Sequence, residues 1–381
     1  MTRIAHIANM YGPKSGGLRT TMNELSLQYA KSGHTVLLIV PGKKDSYESN
    51  GAVSRVTVAA PQIPFSGGYR MIVKPKKVIG KLQDFRPDIL EISDRTTLLT
   101  AARWARSRGI PTTFFAHERV DGIVRSFARH LPFQGTLVRQ WNRKTRDSVG
   151  RIVATTNFAA EEFEQLGLKV DHSPKAKLVS VPLGVDLEKF DPRIREVENK
   201  AFAYFPDNYI FACTRLSKEK DPLFLLEIAQ ELKTRGILTP LVIAGSGPLE
   251  SKMKQVIKRD DLNVLLLGFV SDRNALSHLM AGATTFLAVG PIETFGLAAL
   301  ETLASGTPVI CRSEAAISEI ICEESGRALT RSASDWADAI VEFNGLDREE
   351  TRTNARARAE KFTWKETADQ LLRFYRWDVA S

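Results

Sequence analysis

The chain has 381 residues, 43% of them hydrophobic and 25% charged, which describes a globular protein with room for two domains rather than one continuous core. Its formal net charge of +9 favours an anionic partner, whether nucleotide phosphate, lipid headgroup or nucleic acid. No apolar run approaches the roughly 18 residues of a membrane span, and the apolar stretch in the opening residues is too short for a secretory signal to be expected. Cys213, Cys311 and Cys322 lack metal-ligand spacing and read as reduced core thiols, so a soluble, cytoplasmic protein is expected.

In chain order, "RIAHIA" predicts a strand, "YGPKSGG" a glycine loop, Leu18 to about Lys31 a helix, and "TVLLIV" a second strand, which together make a βαβ unit. After the interrupted stretch "PQIPFSGGYR" come a strand in "DILEI", a helix in "TTLLTAARWARSR", and strands in "IPTTFFAH", "RIVATT" and "KLVSVP". The pattern loses its periodicity near "PLGVDLEKFDPR" and then starts again. "NYIFACT", "TPLVIAG", "NVLLLG", "TTFLAV" and "TPVIC" predict strands, "TPVIC" being the last clear one. They alternate with helices in "PLFLLEIAQELKTR", "PLESKMKQVIKR", "RNALSHLMAG" and "FGLAALETLAS". This alternation implies an α/β protein of two doubly wound, Rossmann-like domains, residues 1–185 and 186–362, that face a central cleft. The closing helix, 363–381, is expected to return to the first domain.

Three loops have the chemistry to hold phosphate. Gly12, Gly16 and Gly17 precede the first helix, where a missing Cβ lets a ligand approach free backbone amides. A tight strand-to-helix turn would read the same way. The spacing Gly-x-x-x-x-Gly is that of a P-loop, but Leu18 and Arg19 stand where Lys and Ser/Thr are required, which argues against ATP hydrolysis. "TRLSKEKDP" offers Arg215 and Lys220, with Lys218 as a competitor, as a cationic clamp for a diphosphate; a solvated charge run is the alternative. "IAGSGP" brings Gly245 and Gly247 to the end of a strand.

The stretch "ETFGLAALETLASGTPVI" places Glu293 before a helix and Glu301 inside it. Leu297, Leu300 and Leu303 form the buried stripe, and Gly306 and Pro308 end the helix. The amides of Thr294, Phe295, Gly296 and Leu297 form an end that attracts an anion. Two carboxylates at two depths suit a ligand with a diphosphate between a sugar and a ribose. They also fit a carboxylate complementing the helix dipole and a second one on the surface.

Taken together, "ETFGLAALE" with "ASGTPVI" resembles the Glu-x7-Glu signature of family 4 retaining glycosyltransferases, which have the GT-B fold. "GPKSGGLRT", "GHTVLLIVPG", "VPLGVDLEKFDP", "TRLSKEKDP", "LVIAGSGP", "LLLGFVSDRNALSHLMAGA" and "FTWKETADQLLRFY" follow in the family's order across nearly the whole chain. The resemblance implies that Gly16 and Gly17 approach the donor diphosphate, that Arg215 and Lys220 grip it, and that Gly245 lies on the donor side. Glu293 would contact sugar hydroxyls, Glu301 the ribose, and the amides of Phe295, Gly296 and Leu297 the sugar and phosphate. His117, in "FFAHERVDG", matches a histidine beside the donor sugar. Val270 and Asp272 match the base pocket, where Asp272 could accept from guanine or act as a helix cap.

The first domain of such enzymes builds the acceptor site. Here "YRMIVKPKKVIGK" and "RVDGIVRSFARHLPFQGTLVRQWNRKTR" mix cations with Ile123, Val124, Phe127, Leu131, Phe133 and Trp141, a composition suited to an anionic membrane surface or to a solvated face over a core stripe. More loosely, the combination is similar to actinobacterial mannosyltransferases of phosphatidylinositol mannosides and related glycolipids. The expectation is a nucleotide-sugar hexosyltransferase that favours GDP-mannose over a UDP-sugar and retains the anomeric configuration. Its acceptor would be a glycolipid at the inner face of the cell membrane, with peripheral contact. No cofactor is expected beyond the donor substrate, and no metal, since no Asp-x-Asp occurs in the chain. A soluble or glucan acceptor and a GT-B sugar-nucleotide epimerase are the alternatives; a nucleic-acid partner has no supporting motif.

Overall fold

A computed structural model describes residues 1–12, 16–63, 68–117, 119–121, 134–196 and 205–380. Ile123, Val124, Phe127, Leu131 and Phe133 lie outside the described residues, as do residues 13–15 of the glycine loop. The chain forms two compact units, Met1–Leu183 with Trp364–Ser381, and Gly184–Thr363.

The first unit is built on strands β1 (Arg3–Ala8), β2 (Thr35–Gly42), β3 (Ser46–Asn50), β4 (Val53–Ala59), β5 (Ile89–Ser93), β6 (Thr112–Phe115), β7 (Arg151–Ala154) and β8 (Leu178–Ser180). Their order is β3-β4-β2-β1-β5-β6-β7-β8. Every pairing is parallel except β3 with β4, an edge hairpin the sequence pattern did not reveal. Its outer strand "SYESN" is mostly exposed, so it shows no run of apolar residues. Helices α1 (Gly17–Lys31), α2 (Pro75–Phe85), α3 (Leu99–Arg106), α4 (Gln134–Ser148) and α5 (Asn157–Glu164) belong to this unit. Parallel strands covered on both faces need apolar residues at nearly every position. β1 is buried at its last five positions, yet one of them is His6, and β5 carries Glu91 directly beside it in register.

The second unit holds β9 (Ile210–Cys213), α6 (Leu223–Thr234), β10 (Leu241–Ala244), α7 (Glu250–Arg259), β11 (Val264–Gly268), α8 (Arg273–Gly282), β12 (Thr285–Ala288), α9 (Leu297–Ala304), β13 (Val309–Arg312), β14 (Gly326–Leu329), α10 (Ala333–Gly345) and α11 (Arg348–Ala359). The sheet runs β11-β10-β9-β12-β13-β14, all parallel. "TPVIC" is therefore not the last strand: β14 follows. It is only four residues long and carries Arg327, whose guanidinium pairs with Glu342, so it lacks a strand's apolar signature. The core is anchored by Trp336, fully buried and edge-on to Phe224 at 5.3 Å between ring centroids. Truncating such a residue costs about 3–5 kcal/mol.

The last helix, α12 (Trp364–Ala380), packs on α1 in the first unit. Thr367 donates to the Pro182 carbonyl at 2.8 Å, and Arg151 pairs with Asp378. Each sheet reverses its strand order beside its first strand, between β1 and β5 and between β9 and β12. In open α/β sheets ligands bind at the carboxyl ends of the strands at such a point.

Candidate active site

At the reversal in the second unit, the loop after β9 carries Arg215 and, in a short 3-10 turn, Lys220; the loop after β12 carries Glu293. Lys220 Nζ donates to Glu293 Oε2 at 2.6 Å, with the two side chains 20% and 33% exposed. Burial alone would raise the Glu293 carboxyl, but the Lys220 ammonium and the charge of Arg215 outweigh it and hold the carboxyl below its ordinary range. Arg215 lies 3.6 Å from Glu219 and is half exposed. Two cations and a carboxylate thus meet where the sheet reverses.

Gly296 precedes α9 with φ +90°, and a Cβ on it would fall 2.3 Å from Ile317 Cγ1, so only glycine fits this helix start. Phe295 and Leu297 beside it are buried, at 4% and 8% exposure. One turn into α9, Glu301 is buried, which excludes the surface alternative. Its Oε1 accepts from Arg273 Nη2 at 2.5 Å, and that guanidinium lies 4.9 Å from the centroid of the Phe190 ring. Burial raises the Glu301 carboxyl, with Asp186 adding to the effect and Arg273 opposing it. Arg273 was not anticipated as its partner, although "SDRNA" puts it at the start of α8.

Asp272 is exposed and caps α8, accepting from the Asn274 amide at 2.9 Å, while Val270 is partly buried. Gly245 makes a close approach of a different kind from the one expected. A Cβ there would lie 1.8 Å from the Thr214 carbonyl oxygen, so the glycine lets the loops after β9 and β10 run together. In the first unit Gly16 and Gly17 are exposed at the start of α1, whose first turn has no side-chain cap and no acidic residue.

His117 lies two residues past β6. Its Nε2 is 2.9 Å from Ser93 Oγ, which is itself 2.8 Å from His6 Nε2. His6 Nδ1 is 2.9 Å from Glu91 Oε2, and Glu91 Oε1 accepts from the hydroxyls of Tyr29 and Tyr375, each at 2.6 Å. The rings of His6, Phe115 and His117 form a stack with centroids 5.3 and 5.6 Å apart. Burial, then the neighbouring His6 and Arg95, push the His117 imidazole down to about 3, so it is neutral near pH 7. The residues that follow are also tied down, since Glu162 accepts from the amides of Val120 and Asp121 and pairs with Arg95 at 3.0 Å. None of His6, Ser93, Glu91, Tyr29 or Tyr375 was picked out from the sequence. The available signal was a histidine and a glutamate inside two otherwise apolar central strands.

Residues 15–189 match the family described as Glycosyltransferase Family 4, and residues 194–362 match that described as Glycosyl transferases group 1. The GDP-mannose-dependent alpha-(1-6)-phosphatidylinositol dimannoside mannosyltransferase of Mycobacterium tuberculosis is 39% identical over 372 residues, 97% of this chain and 95% of the relative. The chain belongs to glycosyltransferase family 4. A further relative of this glycosyltransferase is the alpha-monoglucosyldiacylglycerol synthase of Streptococcus pneumoniae, 23% identical over 355 residues, 89% of this chain and 78% of the other. Among solved structures, sucrose-phosphate synthase from Thermosynechococcus elongatus aligns over 99% of this chain and 98% of its own with a TM-score of 0.78 at 18% identity. The fold is GT-B, with two Rossmann-like units. As a glycosyltransferase the protein moves a hexosyl group from a nucleotide sugar to an acceptor. Among the described residues, no helix is long and apolar enough to cross a membrane.

Proposed function

We propose that this glycosyltransferase transfers mannose from GDP-mannose to a phosphatidylinositol mannoside or a related anionic glycolipid, with retention at the anomeric carbon and without a metal ion. The observation that carries the chemistry is the Lys220–Glu293 pair, with Arg215 close by, at the reversal of the second sheet. When the bond between the anomeric carbon and the phosphate oxygen breaks, negative charge grows on the departing diphosphate. Lys220 and Arg215 supply positive charge to meet it, which is the task a divalent cation performs elsewhere. The acceptor hydroxyl attacks from the same face, its oxygen bonds to the anomeric carbon, and its proton passes to the departing phosphate. Glu293 holds Lys220 until the donor arrives and accepts hydrogen bonds from sugar hydroxyls; Glu301, kept in place by Arg273, receives the ribose. The amides of Phe295, Gly296 and Leu297 complete the second unit's share of the donor site, with Val270 and Asp272 beside the base.

The likeness to two relatives whose names specify glycolipids supports the glycolipid. So does α4, which exposes Leu137 (47%) and Trp141 (38%) on one face, with Arg139, Arg143 and Lys144 exposed nearby. Such a helix suits peripheral contact with an anionic leaflet. The test is transfer from radiolabelled GDP-mannose, UDP-glucose or UDP-N-acetylglucosamine to phosphatidylinositol dimannoside or to inositol phosphate, with and without EDTA, followed by NMR of the product anomer. Transfer from GDP-mannose to the lipid, unaffected by EDTA and giving the α-anomer, is expected. A UDP-sugar preference, transfer to the soluble acceptor alone, inverted product or loss with EDTA would each overturn the corresponding part.

A further inference from the structure

We infer that Glu91, His6 and Ser93 form a positioning relay that fixes which ring nitrogen of His117 carries hydrogen. The inference concerns how His117 meets the sugar, and so rests on the reading that His117 belongs to the donor-sugar site. The relay lies wholly within the first unit and runs through its central strands. His6 sits on β1, Glu91 and Ser93 on β5, and His117 just after β6, with His6 and Glu91 in register.

Its direction follows from donor and acceptor counting. Glu91 Oε1 already accepts two tyrosyl hydroxyls. Both phenols are raised well above their ordinary value by burial and by Glu91, so they remain donors. Oε2 lies 2.9 Å from His6 Nδ1; both atoms are buried and neither makes an aligned hydrogen bond, so this close contact is what each of them faces. A carboxylate only accepts, so in the neutral His6 ring, the form in which the relay operates, the one hydrogen belongs on Nδ1. Nε2 of His6 is then an acceptor and takes the single hydrogen of Ser93. With that hydrogen spent, the Ser93 oxygen has only lone pairs to offer His117 Nε2, which must carry hydrogen in turn. The lone pair of the neutral His117 ring is thereby confined to Nδ1. The Ser93 contact at Nε2 sets which edge of the ring is which, and the Phe115 ring stacked on it at 5.6 Å fixes the plane. One of the anchors, Tyr375, comes from α12, so the terminal helix helps set the state of a loop after β6.

Glu91→Gln tests this with little change of shape. The amide oxygen can still accept both tyrosines, but the amide nitrogen now donates to His6 Nδ1. Each later step reverses, and His117 ends with hydrogen on Nδ1. Histidine-selective 15N labelling reports the two tautomers as distinct two-bond 1H–15N patterns. The chain has 6 histidines, and His117→Gln identifies the signal. The wild type is expected to show His117 protonated on Nε2 and His6 on Nδ1, and Glu91→Gln to reverse both. Its kcat is expected to fall about tenfold or more while the donor KM stays within about twofold, as when a substrate hydrogen bond loses its matching partner. Ser93→Ala cuts the relay, so adding Glu91→Gln to it should change neither the His117 pattern nor kcat any further. A wild-type His117 protonated on Nδ1, an unreversed pattern in Glu91→Gln, or independent multiplication of the two kcat losses would overturn the relay. The tautomer is read without substrate, so a chain inert toward GDP-mannose would sink the donor assignment and leave this result standing.

Discussion

Glu91 and Glu293 belong to equivalent places in the two units, one within the strand beside the first strand of its sheet and the other in the loop that follows such a strand. Glu91 is wholly buried and meets two phenols and an imidazole; Glu293 has a third of its side chain exposed and meets an ammonium. Inside the sheet the low dielectric makes an orphaned carboxylate costly, so several neutral donors converge on it and hold their groups in one geometry. At the sheet's end a single cation suffices, and it can exchange its carboxylate partner for a ligand's phosphate. On the function and relay proposed above, the first unit uses its glutamate to orient, and the second uses one to hold a cation ready.

The contrast breaks most visibly at Lys220. Lys220→Ala is expected to lower kcat by about 10²–10³, the usual cost of removing one preorganised charge stabiliser. It should hardly change stability, because a partly exposed pair contributes about 0–1 kcal/mol. Steady-state mannosyl transfer and a urea titration on the same sample check both halves, and a large stability loss with near-normal kcat would reverse the roles of the two sites. Tyr375→Phe should show the opposite balance. It removes one hydroxyl from buried Glu91 and costs about 1–3 kcal/mol in the urea titration, while Oε1 keeps its bond to Tyr29 and kcat per folded molecule falls by less than for Lys220→Ala.

Acid sharpens the same comparison. The His117 imidazole is held down at about 3, whereas an unfolded chain takes up the proton near about 6.5. Between those values the unfolded state binds more protons, so stability is whole above about pH 6.5 and falls as the pH drops toward about 3. Glu293, also held below its ordinary value, adds stability that is lost on acidification, but only once the pH falls through the carboxylate range. Urea midpoints at pH 7 and pH 5 should therefore fall further for the wild type than for His117→Gln, and equal slopes would show that the imidazole is not held neutral by the fold.

The sequence exposed what depends on local pattern. "RIAHIA", "DILEI", "NYIFACT" and "TTFLAV" are central strands because covered parallel strands need apolar runs, and "RNALSHLMAG" is α8 to the residue. β3 and β14 escaped the same reasoning because edge strands keep polar residues. Arg215, Lys220 and Glu293 could be picked out because each leaves a strand of the second sheet as a charged residue, although their meeting is a property of the sheet order. The relay behind His117 was out of reach for another reason. Tyr375 is 284 residues from Glu91, and only the return of α12 onto α1 brings the two together. Periodicity marks Tyr375 as a core residue and says nothing of the carboxylate its hydroxyl will find.

The smallest expected effect decides whether the base pocket adds anything to this division of roles. Asp272 caps α8 through a 2.9 Å bond to the Asn274 amide, and a cap of this kind contributes about 0.5–2 kcal/mol. Asp272→Ala must therefore cost some stability whatever else the residue does. The cap occupies one carboxylate oxygen, and the side chain is exposed, so the second oxygen is the one available to guanine donors that uracil lacks. Asp272→Asn keeps a capping oxygen while replacing the other with an amide nitrogen that donates instead of accepting. If Asp272 reads guanine, both variants raise the KM for GDP-mannose by about tenfold, roughly the loss of one charged hydrogen bond, and only the alanine lowers the melting temperature. If the residue is a cap alone, the alanine loses its few degrees, the asparagine loses nothing, and the KM of neither variant moves.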